Sequence, residues 1–303
     1  MSTASGEQFA RVGQIRLCYE TFGSESAQPL LLVMGLASQM VMWDDEFCEQ
    51  LVERGFFVIR FDNRDVGRST ILREAHVPAR WQLLVRDKRA AAYSLDDMAV
   101  DAIGLLDELG IDSAHVVGAS MGGMIAQLLA LNHTDRVRSL VSIMSSTGNR
   151  RVGRPAPRLI PLLLRRRARD RETYISEFAL TFRAIGSQTY PHTDEWFAQM
   201  AGRCYDRGVH PSGALRQLGA ITVAPDRTPR LRSLDLPTTV IHGSQDRLIN
   251  PSGGRATAEA IPGARLALLD GMGHDMPPQL WPQIVDLITV NTGRVEALQE
   301  EKR

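Results

Sequence analysis

Three near-continuous apolar runs set the tightest limit on the fold: "LLLVM" at Leu30–Met34, "FFVIRFD" at Phe56–Asp62 and "AHVVGAS" at Ala114–Ser120. A strand with one face in water alternates apolar and polar residues; a strand covered on both faces need not, and that is the condition of a parallel sheet sandwiched by helices. Helix-like segments separate the runs. "WDDEFCEQLVERG" opens on acids and closes on Gly55, while "SLDDMAVDAIGLLDELG" opens on a Ser cap, carries acids in its first turn and stops at Gly110. By contrast "IRLCYETF" (Ile15–Phe22) alternates, as a half-buried antiparallel strand does. "VRSLVSIM", "TTVIHG" and "RLALLD" add three strands, and a last helix is expected around "LWPQIVDLI", with the tail "TGRVEALQEEKR" fraying beyond it. The expected class is α/β: a mostly parallel eight-stranded sheet flanked by helices, with an antiparallel strand or two at its start.

The strand rhythm stops between Gly148 and about Leu231, where helical patterns, prolines and arginines take over. The expected organisation is a core in two parts, 1–148 and 232–303, interrupted by a helical cap at 149–231. Nine arginines lie between Arg150 and Arg171 against one acid, Asp170. Interleaved with "LIPLLL", they form either a solvated cap surface or a patch for anionic lipid or an acidic or phosphorylated substrate. The formal charge of the whole chain is zero, which argues against a general nucleic-acid binder. The three cysteines, Cys18, Cys48 and Cys204, form no C-x-x-C pair and read as reduced packing residues. No apolar leader opens the sequence and no run of about 18 uncharged apolar residues occurs, so a soluble cytoplasmic protein is expected.

The segment "VVGASMGGMIAQLLA" places Ser120 between a strand-like and a helix-like run, crowded by Gly118, Ala119, Gly122 and Gly123. G-x-S-x-G at a strand-to-helix junction is a nucleophile elbow: small neighbours let strand and helix pass closely and lift the serine to the carboxyl end of the sheet. The N–H of Met121 then points at a developing oxyanion. A serine needs an imidazole to take its proton and a carboxylate to orient the imidazole, in the chain order Ser, acid, His. Of seven histidines, His76, His115 and His133 precede or crowd Ser120, His192 and His210 fall in the cap, and His242 comes before any acid. His274, in "LLDGMGHDMP", remains. Asp246, in "TTVIHGSQDRLINP", is the expected acid; Asp270 and Asp275 flank the histidine too closely, and residues 137–169, where some proteins of this architecture carry the acid, contain neither Asp nor Glu. The second oxyanion donor is expected from the loop "VMGLASQMVMW", at the N–H of Leu36.

With "MGLA", "DNRDVGRS" (Asp62–Ser69), "GASMG", "GSQD" and "GMGH" in order, the chain resembles the α/β-hydrolases over essentially its whole length. Within them it is similar to the serine esterases of the aclacinomycin methylesterase-like and actinobacterial lipase/esterase branch. The resemblance implies catalytic roles for Ser120, Asp246 and His274, backbone oxyanion donors at Leu36 and Met121, and no cofactor or metal. Met34-Gly35 stands where many members carry His-Gly, which puts the rigidity of that loop in question. An aspartate would stand at position 120 in an epoxide hydrolase or haloalkane dehalogenase. Eight methionines fall in or near these loops, and they either line a cleft for bulky apolar groups or fill the core behind it; Met34, Met144 and Met272 are the expected pocket residues. The expected function is hydrolysis of a small hydrophobic carboxylic ester through an acyl-enzyme. Thioester or carbon–carbon hydrolysis, perhydrolysis on the same triad, and a non-catalytic ligand-binding module on the same fold are the alternatives.

Overall fold

The computed structural model describes residues 4–159 and 170–301. Eight strands form one sheet: β1 (Gln8–Val12), β2 (Ile15–Phe22), β3 (Gln28–Val33), β4 (Phe56–Phe61), β5 (Ala114–Ala119), β6 (Val137–Ile143), β7 (Thr238–Gly243) and β8 (Arg265–Leu269). Their spatial order is β1-β2-β4-β3-β5-β6-β7-β8. β1 pairs with β2, and β2 with β4, in antiparallel fashion, while all pairs from β4 to β8 are parallel. Central strands are buried along their whole length, which accounts for their unbroken apolar runs.

Ten helices complete the described fold: α1 (Asp45–Glu53), α2 (Arg80–Val85), α3 (Leu95–Glu108), α4 (Met121–Asn132), α5 (Arg171–Ile185), α6 (Asp194–Arg207), α7 (Pro211–Val223), α8 (Thr228–Leu231), α9 (Ser252–Ala260) and α10 (Trp281–Glu301). Local signals start them. The Asp44 carboxylate accepts from Glu46 N–H, and Ser94 and Asp97 form a reciprocal capping box at α3. Successive strand residues feed opposite layers. Leu31, Ile59 and Val116 pack with Leu105 of α3 and Ile125 of α4, while Leu30, Val58 and Val117 pack with Phe47 of α1 and Ile284 of α10. The backbone of α10 stays helical to Glu301, so the tail expected to fray continues the helix that far, while Lys302 and Arg303 lie outside the described residues.

Between β6 and β7 the described residues contain helices α5 to α8 and no strand. Arg165, Arg166, Arg167 and Arg169, four of the nine arginines in the basic stretch, lie outside the described residues. Two buried ion pairs tie this excursion to the loop after β4. Arg207 of α6 meets Asp62 at 2.8 Å, and Arg216 of α7 grips Asp65 through two hydrogen bonds of 2.8 and 2.6 Å. Both residues of the second pair are fully buried.

Candidate active site

The backbone turns sharply where β5 ends. Ser120 has φ 56° and ψ −117°, a conformation that a side-chain-bearing residue adopts only under constraint. The constraint is closeness: a Cβ on Gly118 would lie 2.2 Å from the carbonyl oxygen of Gly122, and one on Gly122 would lie 2.0 Å from that of Val33. The Ser120 N–H donates to Ile143 O at 2.9 Å and its carbonyl accepts from Ser145 Oγ at 2.7 Å, so the end of β6 and the residues just after it hold the turn.

His274 reaches Ser120 from the loop after β8. Its Nε2 lies 3.0 Å from Ser120 Oγ, and its Nδ1 lies 2.7 Å from Asp246 Oδ2. A carboxylate at Nδ1 keeps the proton of the neutral ring there and leaves the Nε2 lone pair facing the hydroxyl. Asp246 follows β7 and is held by its own turn, with Oδ1 accepting from the N–H groups of Leu248 and Ile249 at 2.8 Å each. Burial alone would raise its pKa, but the facing His274 and His242 rings hold it down at about 2. The histidine loop is clipped from the excursion side, where Ile185 O accepts from His274 N–H at 2.9 Å and Ser187 Oγ accepts from Gly273 N–H at 2.9 Å.

Neither flanking acid touches His274. Asp270 accepts from Ser244 Oγ at 3.0 Å, and Asp275 turns away to the Ser187 N–H at 2.8 Å and to His192 Nε2 at 3.3 Å. His242, set aside on chain order, stands directly behind the acid: its Nε2 donates to Ile249 O at 2.8 Å and lies 3.4 Å from Asp246 Oδ2.

The loop after β3 abuts the serine, since a Cβ on Gly35 would sit 3.1 Å from Ser120 Cβ. Leu36 and Met121 both line the space in front of Ser120. Met121 opens α4, so its N–H has no intrahelical partner. What braces the loop in place of a histidine is distant in sequence. Ala37, at φ 55°, donates its N–H to Gln217 Oε1 of α7 at 2.8 Å, and Gln217 Nε2 donates to Arg64 O at 2.8 Å. Asn63 Nδ2 donates to Met34 O at 3.0 Å. Sequence reading missed Asn63 and Gln217, because no local pattern signals contacts 29 and 180 positions away.

Ser120 and His274 open on a cavity of about 1680 Å³, larger than the ~300–1,000 Å³ usual for small-molecule sites. Met34, Met121 and Met144 line it, and aromatic rings of the excursion, Phe178, Phe182 and Trp196, form a facing wall. Met272 is a correction: it is fully buried in the core layer of Leu269 and Trp281 and does not line this cavity. The turn carrying it packs its backbone on the end of β7, where a Cβ on Gly243 would meet Met272 O at 2.3 Å, and its side chain joins the core beside that strand. Of the five non-glycine residues at positive φ among the described residues, Ala37, Arg86, Ser120 and Met144 line this cavity, so backbone strain gathers there.

A sequence model of the alpha/beta hydrolase fold matches residues 28–278. The chain belongs to the alpha/beta hydrolase fold family. It is similar to rhodomycin D methylesterase DnrP of Streptomyces peucetius, 28% identical over 300 residues that cover 92% of this chain and 95% of that one. It is also similar to 2-hydroxy-6-oxononadienedioate/2-hydroxy-6-oxononatrienedioate hydrolase 2 of Pseudomonas putida, 26% identical over 90% of this chain and 92% of that one. Among solved structures, a hydrolase from Pseudomonas aeruginosa PA01 superposes with a TM-score of 0.70 at 24% identity, covering 95% of this chain and 98% of that one. By family and relatives, this alpha/beta hydrolase is an enzyme of the hydrolase class. No helix among its described residues is long and apolar enough to cross a membrane.

Proposed function

We propose that the chain is a carboxylic ester hydrolase with Ser120 as nucleophile, His274 as general base and acid, and Asp246 as the group that orients the imidazole. The observation that carries this reading is the hydrogen-bonded series from Ser120 Oγ to His274 to Asp246, at 3.0 and 2.7 Å, opening on a methionine- and aromatic-lined cavity. Ser120 Oγ attacks the ester carbonyl while His274 Nε2 takes the hydroxyl proton. The tetrahedral oxyanion is held by the N–H groups of Leu36 and Met121. Collapse breaks the ester bond, His274 gives its proton to the departing alcohol, and an acyl-enzyme remains. Water then gives a proton to His274, attacks the acyl carbon, and releases the acid as Ser120 recovers its proton. The anion of Asp246, held well below the ordinary carboxylate range, stabilises the imidazolium formed in each half-reaction. The excursion between β6 and β7 acts as a cap whose apolar wall selects hydrophobic esters, a reading supported by the methylesterase relative.

The test is Ser120→Ala assayed on short p-nitrophenyl esters, with circular dichroism to confirm the fold. Turnover is expected to disappear and labelling by a fluorophosphonate to vanish with it. Unchanged turnover overturns the assignment, and a wild-type chain that is never labelled favours a ligand-binding module. Parallel thioester and peroxide-dependent halogenation rates on one preparation separate ester hydrolysis from the other reactions this triad geometry serves.

A further inference from the structure

Helix α2 half-buries Leu83 and turns its other apolar residues to water. Its apolar residues Trp81, Leu84 and Val85 share one helical face, and that face is in water: they are 56, 84 and 65% exposed. The polar Gln82 points inward instead, buried, with its Oε1 accepting from Ala79 N–H at 2.8 Å. Val77, just before the helix, is exposed on the same stretch, so four of the nine large hydrophobic side chains exposed among the described residues fall within nine positions. Such a patch on one short element marks an interaction surface.

The surrounding charge indicates what covers it. From Arg73 to Arg89 the chain carries Arg73, Arg80, Arg86, Lys88 and Arg89 against Glu74 and Asp87, and Asp87 is already bonded to Arg89. Arg80 and Arg86 also line the mouth of the cavity, together with Arg150 and Arg154. Among the described residues no carboxylate neutralises these four groups; Arg154 Nε donates to Arg150 O at 2.7 Å. The Arg86 guanidinium is held below its ordinary value by burial and by the Arg150 and Arg154 charges beside it. A second copy of this chain meeting the patch would set these cations against their own kind. An anionic lipid surface satisfies both parts: aromatic and aliphatic side chains enter the headgroup boundary while guanidinium groups meet phosphates.

We propose that the solvent-facing stripe of α2 docks the protein on an anionic lipid bilayer, with Trp81, Leu84 and Val85 inserted, Arg80, Arg86, Arg150 and Arg154 on the headgroups, and the cavity mouth turned to the membrane. The basic stretch of the excursion thus contributes its first arginines, and α2 supplies the apolar anchor. The inference deepens the ester reading by giving a hydrophobic ester a route from the bilayer, and it rests on that reading for the route alone.

The experiment is co-sedimentation of the full chain with phosphatidylcholine vesicles, with and without phosphatidylglycerol. The wild type is expected to bind the anionic vesicles, to release as salt rises, and to show a blue-shifted tryptophan emission that Trp81→Phe removes. Leu84→Ser with Val85→Ser is expected to weaken partition by about tenfold or more while hydrolysis of soluble p-nitrophenyl acetate stays unchanged. Absence of vesicle binding, binding unaffected by the double substitution, or a concentration-dependent dimer that the double substitution dissolves would each overturn the docking. Vesicle binding without hydrolysis of any ester sinks the ester reading and leaves the docking standing.

Discussion

Gln217 faces a loop it could not be matched to from sequence, and its amide uses both ends: Oε1 accepts from Ala37 N–H and Nε2 donates to Arg64 O. The next-door N–H, that of Leu36, is the oxyanion donor proposed above, so the side chain sets the direction of a group that acts only when negative charge develops. Gln217→Leu keeps the volume and removes both hydrogen bonds. It is expected to lower kcat by roughly tenfold to a hundredfold with KM nearly unchanged, a smaller loss than the ~10²–10³ for deleting a donor outright; a change confined to KM refutes the positioning role. The meeting of Ser120, Asp246 and His274 was legible because each follows a strand recognisable by its own residues. Gln217 lies mid-helix in "PSGALRQLGAITV", where an interior glutamine has no periodicity to betray it. Met272 was misread for a related reason. Proximity to His274 in sequence did not say which way its side chain points, and a turn packed on Gly243 sent it into the core.

At the scale of elements, β5 carries a buried histidine. His115 Nδ1 lies 2.8 Å from Ser139 Oγ of β6 and Nε2 lies 3.2 Å from Gln28 Oε1 of β3, so one ring links three central strands. Burial, with a smaller push from Arg138, lowers its pKa to about 3 from 6.5. The folded state therefore refuses a proton that the unfolded chain accepts. Stability falls as pH drops below about 6.5, and the loss stops growing once pH reaches about 3, where the folded ring also protonates. His115→Gln, which cannot ionise, is expected to flatten that part of the stability-versus-pH curve in urea titrations; an unchanged slope between those limits shows that other groups set it. The central strands were legible from their unbroken apolar runs. β1 was not individually placed, since only Ala10 of "QFARV" is buried and an edge strand with one inward residue leaves almost no alternation to read.

Across the whole molecule, the "DNRDVGRS" loop is where sheet and excursion join. Asp62 and Asp65 supply the counter-charges for Arg207 and Arg216, and Ser69 Oγ binds Asp62 O at 2.6 Å. Gly67 is required there: at φ 54° a Cβ would fall 2.2 Å from Asp62 Oδ2. Arg216→Met would leave Asp65 buried without its partner. A loss of about 3–5 kcal/mol is expected, read as a lowered midpoint in urea, and calorimetry of the wild type is expected to show sheet and excursion melting in one transition. Two separated transitions would refute that coupling.

Because α7 supplies both cavity-lining residues such as Leu215 and Leu218 and the amide that braces the loop proposed to hold the oxyanion, selection and turnover in the proposed reaction are not independent modules. Grafting a relative's excursion onto this sheet to import a new preference would also remove a support of the chemistry, unless an amide returns at position 217 and a guanidinium at 216. The rings of α5 and α6 offer no free alternative, since Tyr174, Phe178 and Trp196 pack against the cluster formed by Met40 and Val41 of that same loop.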